Sequence, residues 1–312
     1  MSLERAPYFA DIPGEKEATA YWLTASDGVR LRAAVWPCDA AKGTVLLFPG
    51  RTEYVEKYAL NATELAAAGY ATISIDWRGQ GLADRLVPHK MAGHVDRFDD
   101  YQKDVASLMD AAETLDLPKP YFMVGHSMGG CIGLRALVDG LSVNAAAFTG
   151  PMWGIGLSPL LRPVAYVVGG IGVAIGGGHW LAPGTSYDTY VLDCAFEDNM
   201  LTKDRDMYAR LQTQARAHPE VTLGGPTLRW VTQALYECRD LAKRPAPSMP
   251  CITFLGTDEK IISASAIQKR MDNWPNGELR MVPAGEHEVL MEGDATRGQV
   301  TAEMVALFED NL

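Results

Sequence analysis

Gly125-His126-Ser127-Met128-Gly129-Gly130 stands between the apolar run Tyr121 to Val124 and the helix-like run Cys131 to Asp139. The order reads as strand, sharp turn, helix. A serine in such a turn must adopt a strained backbone conformation, and a side chain at Gly125 or Gly129 would collide with the neighbouring strand or helix. The Ser127 hydroxyl then projects at the sheet edge. A plain strand-to-helix turn with a capping serine fits the bare five-residue pattern as well, so the reading has to be carried by the rest of the chain.

On both sides of this stretch, strand-like and helix-like runs alternate. Tyr21 to Thr24 and Val29 to Trp36, separated by Ser26-Asp27-Gly28, read as a hairpin at the sheet's edge. Thr44 to Phe48 is a buried strand ended by Pro49-Gly50, and a helical pattern through Tyr58, Leu60 and Leu65 follows it to Gly69. Ala71 to Ile75 repeats the strand pattern and enters the polar loop Asp76-Trp77-Arg78-Gly79-Gln80-Gly81. A helix capped by Asp99 or Asp100 is expected to about Leu115, and the next strand, Ala145 to Thr149, ends at Gly150-Pro151. Alternation of this kind predicts an α/β fold: a mostly parallel central sheet with helices on both faces.

From Trp153 to about Leu235 the alternation stops, and it resumes with Cys251 to Leu255 and Leu279 to Val282. The chain is therefore read as a core of residues 1–152 and 236–312 with an inserted, mainly helical cap over 153–235. Helical patterns run from about Lys203 to Ala217 and from Thr227 to Leu241. Within the cap, Pro163 to Tyr187 holds no Asp, Glu, Lys or Arg. Its glycines, among them Gly169, Gly170, Gly172 and Gly176 to Gly178, interrupt it well short of the roughly 20 apolar residues of a membrane span. It reads as a flexible apolar lid wall for an acyl chain, with plain packing on the core as the alternative.

Of the 312 residues 47% are apolar, enough for a full core, and the net charge of −11 argues against nucleic acid and against docking on an anionic membrane through basic patches. Cys38, Cys131, Cys194, Cys238 and Cys251 are odd in number and scattered, which supports neither a disulfide framework nor a zinc site. Met1 to Gly14 carries Glu4, Arg5 and Asp11 and has no apolar signal core, so a cytoplasmic setting is expected.

A serine hydroxyl is a poor nucleophile at neutral pH, so a base must take its proton and a carboxylate must orient that base. In this strand order the acid follows the strand after the cap and the base follows the last strand. Leu255-Gly256-Thr257-Asp258-Glu259-Lys260-Ile261-Ile262 and Pro283 to Leu290, which contains His287, occupy those places. The chemistry alone admits Asp258 or Glu259 as the acid. His126 should point away along the elbow, and it, His89, His94, His179 and His218 read as ordinary surface histidines. The tetrahedral intermediate needs two donors, assigned to the backbone N–H groups of Met128 and Arg51. The Arg51 side chain either meets a phosphate or carboxylate or pairs with Glu53.

Pro49-Gly50-Arg51-Thr-Glu-Tyr-Val-Glu-Lys-Tyr58, Asp76 to Gly81, Gly93-His-Val-Asp-Arg-Phe-Asp-Asp-Tyr101, Gly125 to Gly130 and Gly224-Gly-Pro-Thr-Leu-Arg-Trp230 together resemble the α/β-hydrolase superfamily. Within it the chain resembles the bacterial lysophospholipase L2 and monoacylglycerol lipase branch, grouped with the serine aminopeptidase-like hydrolases. The resemblance implies a serine hydrolase of carboxylic esters, with one fatty acyl chain on the substrate and no metal or cofactor. It places the triad acid three residues after Gly256, at Glu259, and it departs from the usual pattern at Ala83, where the family commonly has Ser. A catalytically silent binding protein, a short-chain esterase, a lactonase and an aminopeptidase are the alternatives. The last would need an acidic cap pocket, for which Glu197, Asp198, Asp204 and Asp206 are the candidates. Transient membrane-surface contact through the cap is a further expectation.

Overall fold

The structure, a computed structural model, describes residues 3–10, 15–156 and 161–312, with residues 161–165 described by their backbone alone. Asp11, with the rest of 11–14, and the side chains that open the uncharged Pro163–Tyr187 run lie outside the described residues.

Strands β1 (Thr19–Thr24) and β2 (Arg30–Trp36) form the expected antiparallel hairpin, turned by Gly28 at φ +87°. Then follow β3 (Gly43–Phe48), α1 (Ala59–Ala67), β4 (Tyr70–Asp76), α2 (Tyr101–Thr114), β5 (Tyr121–His126), α3 (Ser127–Val138) and β6 (Ala146–Thr149). Helices α4 (Leu161–Ala174), α5 (Tyr190–Asp193), α6 (Arg205–Ala217) and α7 (Leu228–Leu241) lie between β6 and β7 (Cys251–Gly256). The chain closes with α8 (Ala264–Met271), β8 (Gly277–Val282) and α9 (Asp294–Glu309).

One sheet of eight strands runs in the order β1-β2-β4-β3-β5-β6-β7-β8, antiparallel at the β1-β2-β4 end and parallel from β4 onward. β3 to β7 are buried along their whole length, which is why they read as continuous apolar runs rather than alternating ones. Apolar clusters fill both faces. Phe48, Trp77, Ile132 and Phe148 lie in one, and Phe122, Phe254, Met304 and Phe308 in the other.

Two local expectations change. Asp100 adopts helical backbone angles and makes no cap bond to α2; its carboxylate takes a hydrogen bond from Lys103 instead. The glycines of α4 do not break it. A Cβ at Gly169 would stand 2.2 Å from Thr232 Oγ1 and one at Gly172 2.7 Å from Leu228 Cδ1, so these glycines let α4 lie close against α7. Close packing, not looseness, is their use.

Candidate active site

Ser127 begins α3 at φ +48°, the left-handed strain expected of the turn. A Cβ at Gly129 would stand 2.1 Å from the Phe48 carbonyl oxygen, and one at Gly125 3.0 Å from Gly130 Cα. Glycine is therefore imposed by the neighbouring strand and by the helix. The elbow carries Ser127 to the carboxyl ends of the parallel strands, where the loops after β3, β7 and β8 converge.

His287 Nε2 lies 2.9 Å from Ser127 Oγ, and His287 Nδ1 lies 2.7 Å from Glu259 Oε2. A carboxylate only accepts, so Nδ1 carries the proton and Nε2 turns its lone pair to the hydroxyl. The other oxygen, Glu259 Oε1, accepts from the N–H groups of Ile261 at 2.6 Å and Ile262 at 3.1 Å. Burial pushes the Glu259 carboxyl up, yet the hydrogen bond and charge of His287, with those two N–H groups, hold it below its ordinary value. Gly256 brings the two loops together. A Cβ there would stand 2.2 Å from the Gly285 carbonyl oxygen. Asp258 points outward to a salt bridge with Lys203, away from the histidine.

Met128 follows Ser127 in the first turn of α3, and the loop after β3 brings Arg51 to the same cavity as Ser127 and His287, a space of about 280 Å³. The Asp76–Gly81 loop holds that wall in place: Trp77 Nε1 donates to the Pro49 carbonyl at 2.9 Å and Gln80 Nε2 to the Gly50 carbonyl at 2.9 Å.

Profile comparison matches residues 39–294 to the family described as Serine aminopeptidase, S33. The chain belongs to that family. Lysophospholipase L2 of Escherichia coli strain K12 is 28% identical to this S33 hydrolase over 92% of the chain and 86% of that protein. A probable lysophospholipase L2 of Haemophilus influenzae is 27% identical over 95% and 92%. In fold, the S33 hydrolase is similar to a soluble variant of monoglyceride lipase from Saccharomyces cerevisiae solved with a substrate analog, with a TM-score of 0.73, 21% identity and 98% of each chain covered. It is an α/β-hydrolase and a carboxylic ester hydrolase.

Some expectations for the S33 hydrolase are redrawn by the geometry. None of the described residues of Pro163–Tyr187 lines the cavity; its apolar wall comes from further along, from Val191, Met200, Leu201, Leu211 and Ala215. The reason is orientation. α4 packs one side on α7 and leaves Val167 and Ile171 exposed, with Ile175 exposed just beyond its end. Glu197, Asp198, Asp204 and Asp206 do not line the cavity either; Glu197 pairs with Arg205, and Asp204 caps α6.

His126 is not a surface residue. Fully enclosed, it places Nδ1 3.0 Å from the Thr149 carbonyl oxygen and Nε2 3.3 Å from Glu288 and 3.5 Å from Glu53. Lys57 Nζ lies 2.6 Å from both carboxylates. Glu53, His126 and Glu288 bring their ligand atoms within 4.8 Å of one another, a spacing that suits a metal, but the Lys57 ammonium already holds the two carboxylates. Spacing alone gave no sign of this cluster. Its members are brought together from three strand-end loops by the sheet order.

Proposed function

We propose that this chain is a serine hydrolase of single-acyl lipid esters, a lysophospholipase or monoacylglycerol lipase, working through an acyl-enzyme. The carrying observation is the continuous relay from Ser127 Oγ through His287 to Glu259. Ser127 is the nucleophile, His287 the base and Glu259 the orienting acid. In the first half-reaction His287 Nε2 takes the Ser127 proton as Oγ bonds to the ester carbonyl carbon, and the developing oxyanion is received by the N–H groups of Met128 and Arg51. His287 then returns the proton to the departing alcohol. Water repeats the sequence on the acyl-enzyme and releases the fatty acid, so no cofactor is required.

Residues 153–235 act as a cap whose apolar side chains seat the acyl chain, with α7 continuing past that boundary into the core through the Arg135–Glu237 ion pair at 2.7 Å. The exposed apolar face of α4 supports transient contact with a membrane surface, the place where such substrates are found. The five free cysteines support a cytoplasmic setting.

An ester series from butyrate to decanoate, run on the wild type and on Ser127→Ala, tests the reading. With each CH2 buried contributing up to about 0.8 kcal/mol, kcat/KM is expected to rise on the order of 10^2-fold over four carbons. Ser127→Ala should lower kcat by roughly 10^4 to 10^6 and abolish labelling by a fluorophosphonate. A flat chain-length profile overturns the lipid assignment, and a variant retaining more than about a tenth of the activity overturns the nucleophile.

A further inference from the structure

Two of the sequence blocks, Gly93 to Tyr101 and Gly224 to Trp230, supply no reacting atom, and both meet at the side chain of Arg51. Arg51 Nη1 donates to the Gly224 carbonyl at 3.0 Å, and the guanidinium lies over the Trp230 ring, 5.5 Å from its centroid. Gly93 completes the seat: a Cβ at this position would stand 2.9 Å from Nη1. The blocks are stitched together beneath it, Gly93 N–H donating to the Gly225 carbonyl at 2.9 Å and Thr227 N–H to the Gly93 carbonyl at 2.8 Å. Two stretches far apart in sequence thus build one seat for the Arg51 guanidinium.

Among the described residues no carboxylate forms an ion pair with Arg51, and burial, with only Tyr101 opposing it, pushes its pKa down to about 10. Glu53, the partner the sequence offered, is taken by the Gly50 N–H, the Tyr58 hydroxyl and Lys57. Glu288, the other carboxylate on the cavity wall, is held by Lys57 as well. Arg51 is half-buried, and a guanidinium partly withdrawn from water with no carboxylate beside it favours an incoming anion; its planar fork matches a phosphate in two parallel hydrogen bonds. Arg51 shares its cavity with Ser127 and His287.

We propose that the Arg51 guanidinium receives the phosphodiester of a lysophospholipid whose ester bond lies at Ser127, so that it selects this substrate over an uncharged monoacylglycerol. The proposal rests on the ester-hydrolase reading above and names the headgroup of its substrate. An anion entering the seat would supply the missing counter-charge, and the Trp230 face would keep the guanidinium plane in register.

The test compares kcat/KM on lysophosphatidylcholine and on monoacylglycerol of the same acyl chain, using the full chain. Because Arg51 also offers its backbone N–H to the oxyanion, the readout is the ratio of the two values, in which losses common to both esters cancel. Arg51→Gln should lower the lysophospholipid-to-monoacylglycerol ratio about 10- to 100-fold, and Arg51→Lys should restore part of it. Gly93→Ala, which displaces the guanidinium without touching the Arg51 backbone, should lower the ratio in the same direction. Active variants with an unchanged ratio in both Arg51→Gln and Gly93→Ala overturn the assignment of Arg51 alone. A wild-type chain that hydrolyses neither ester overturns the ester-hydrolase reading, and this proposal with it.

Discussion

Asp258 and Glu259 are adjacent carboxylates with opposite surroundings, and backbone direction separates them. The Asp258 N–H donates to the Gly285 carbonyl at 2.9 Å, which turns its side chain out to Lys203; the next residue turns in, where His287 and two N–H groups meet it. An extra CH2 lets the glutamate reach from slightly further back. If the carboxylate fixes the imidazole tautomer and stabilises the imidazolium of the transition state, Glu259→Gln should lower kcat by roughly 10^2 to 10^4 with little change in KM. Asp258→Asn removes only a screened surface pair and should cost less than about tenfold. Steady-state kinetics on the two single variants checks this; a large loss in Asp258→Asn beside a near-normal Glu259→Gln would reverse the assignment.

Elements in this fold are tied at their ends as well as through their faces. The elbow after β5, the turn after β3 and the loop after β8 each contribute to the enclosed group of His126, Glu53, Lys57 and Glu288, which lies directly behind the proposed triad; the His126 and His287 rings are 5.0 Å apart. His126 Nδ1 lies 3.0 Å from both the Thr149 carbonyl, which only accepts, and the Thr149 hydroxyl, which can accept or donate, so a ring protonated at both nitrogens serves the carbonyl on one side and the two carboxylates on the other. Burial alone would push the His126 pKa down, but Glu288 and Glu53 overrule it and raise it above the ordinary value, while burial of Glu288 is overruled by Lys57 and His126, which hold it well below. A raised folded-state pKa means that the imidazolium contributes stability in full below about pH 6.5, its unfolded value, and loses it as pH rises through the higher folded value. The wild-type Tm should therefore fall as pH climbs above neutrality, and His126→Gln should show a lower Tm near pH 6 with a shallower alkaline decline. Parallel Tm profiles for the two proteins would contradict a charged His126.

At the scale of the whole molecule, the sheet fixes the site and the helices between β6 and β7 decide what reaches it. α4 turns one side to α7 and the other to solvent, leaving Val167 58% and Ile171 58% exposed and, just beyond its end, Ile175 67% and Trp180 52%. Among the described residues no helix is long and apolar enough to cross a membrane. Surface contact is a different matter, since an uncharged apolar face can settle at a lipid interface while a net charge of −11 keeps the chain from anionic lipid. Vesicle co-sedimentation should accordingly show binding to neutral phosphatidylcholine that weakens as anionic lipid is added. Ile171→Ser combined with Ile175→Ser should reduce the partition coefficient on the order of tenfold or more, because each isoleucine contributes about 1.5–3 kcal/mol when buried. Equal binding by wild type and double variant would remove α4 as the contact face.

The sequence by itself determined the α/β class, the strand positions, the strained elbow and the chain order of serine, acid and histidine. Those features are local: buried parallel strands read as apolar runs, and only glycine fits where Gly129 passes under the Phe48 carbonyl. Tertiary structure decided what depends on residues distant along the chain. It sent Glu259 rather than Asp258 to the histidine by its own geometry and enclosed His126 among charges carried in by the loops after β3 and β8. The acyl wall came from Val191 to Ala215 instead of Pro163–Tyr187, because close packing of α4 on α7 turns its apolar side outward. Arg51 is the clearest case. Sequence left its side chain two partners, and the answer came only when Glu53 was committed to Lys57 and Tyr58 while Gly93, Gly224 and Trp230 closed around the guanidinium, since ion pairing is set by proximity in space and not by spacing along the chain.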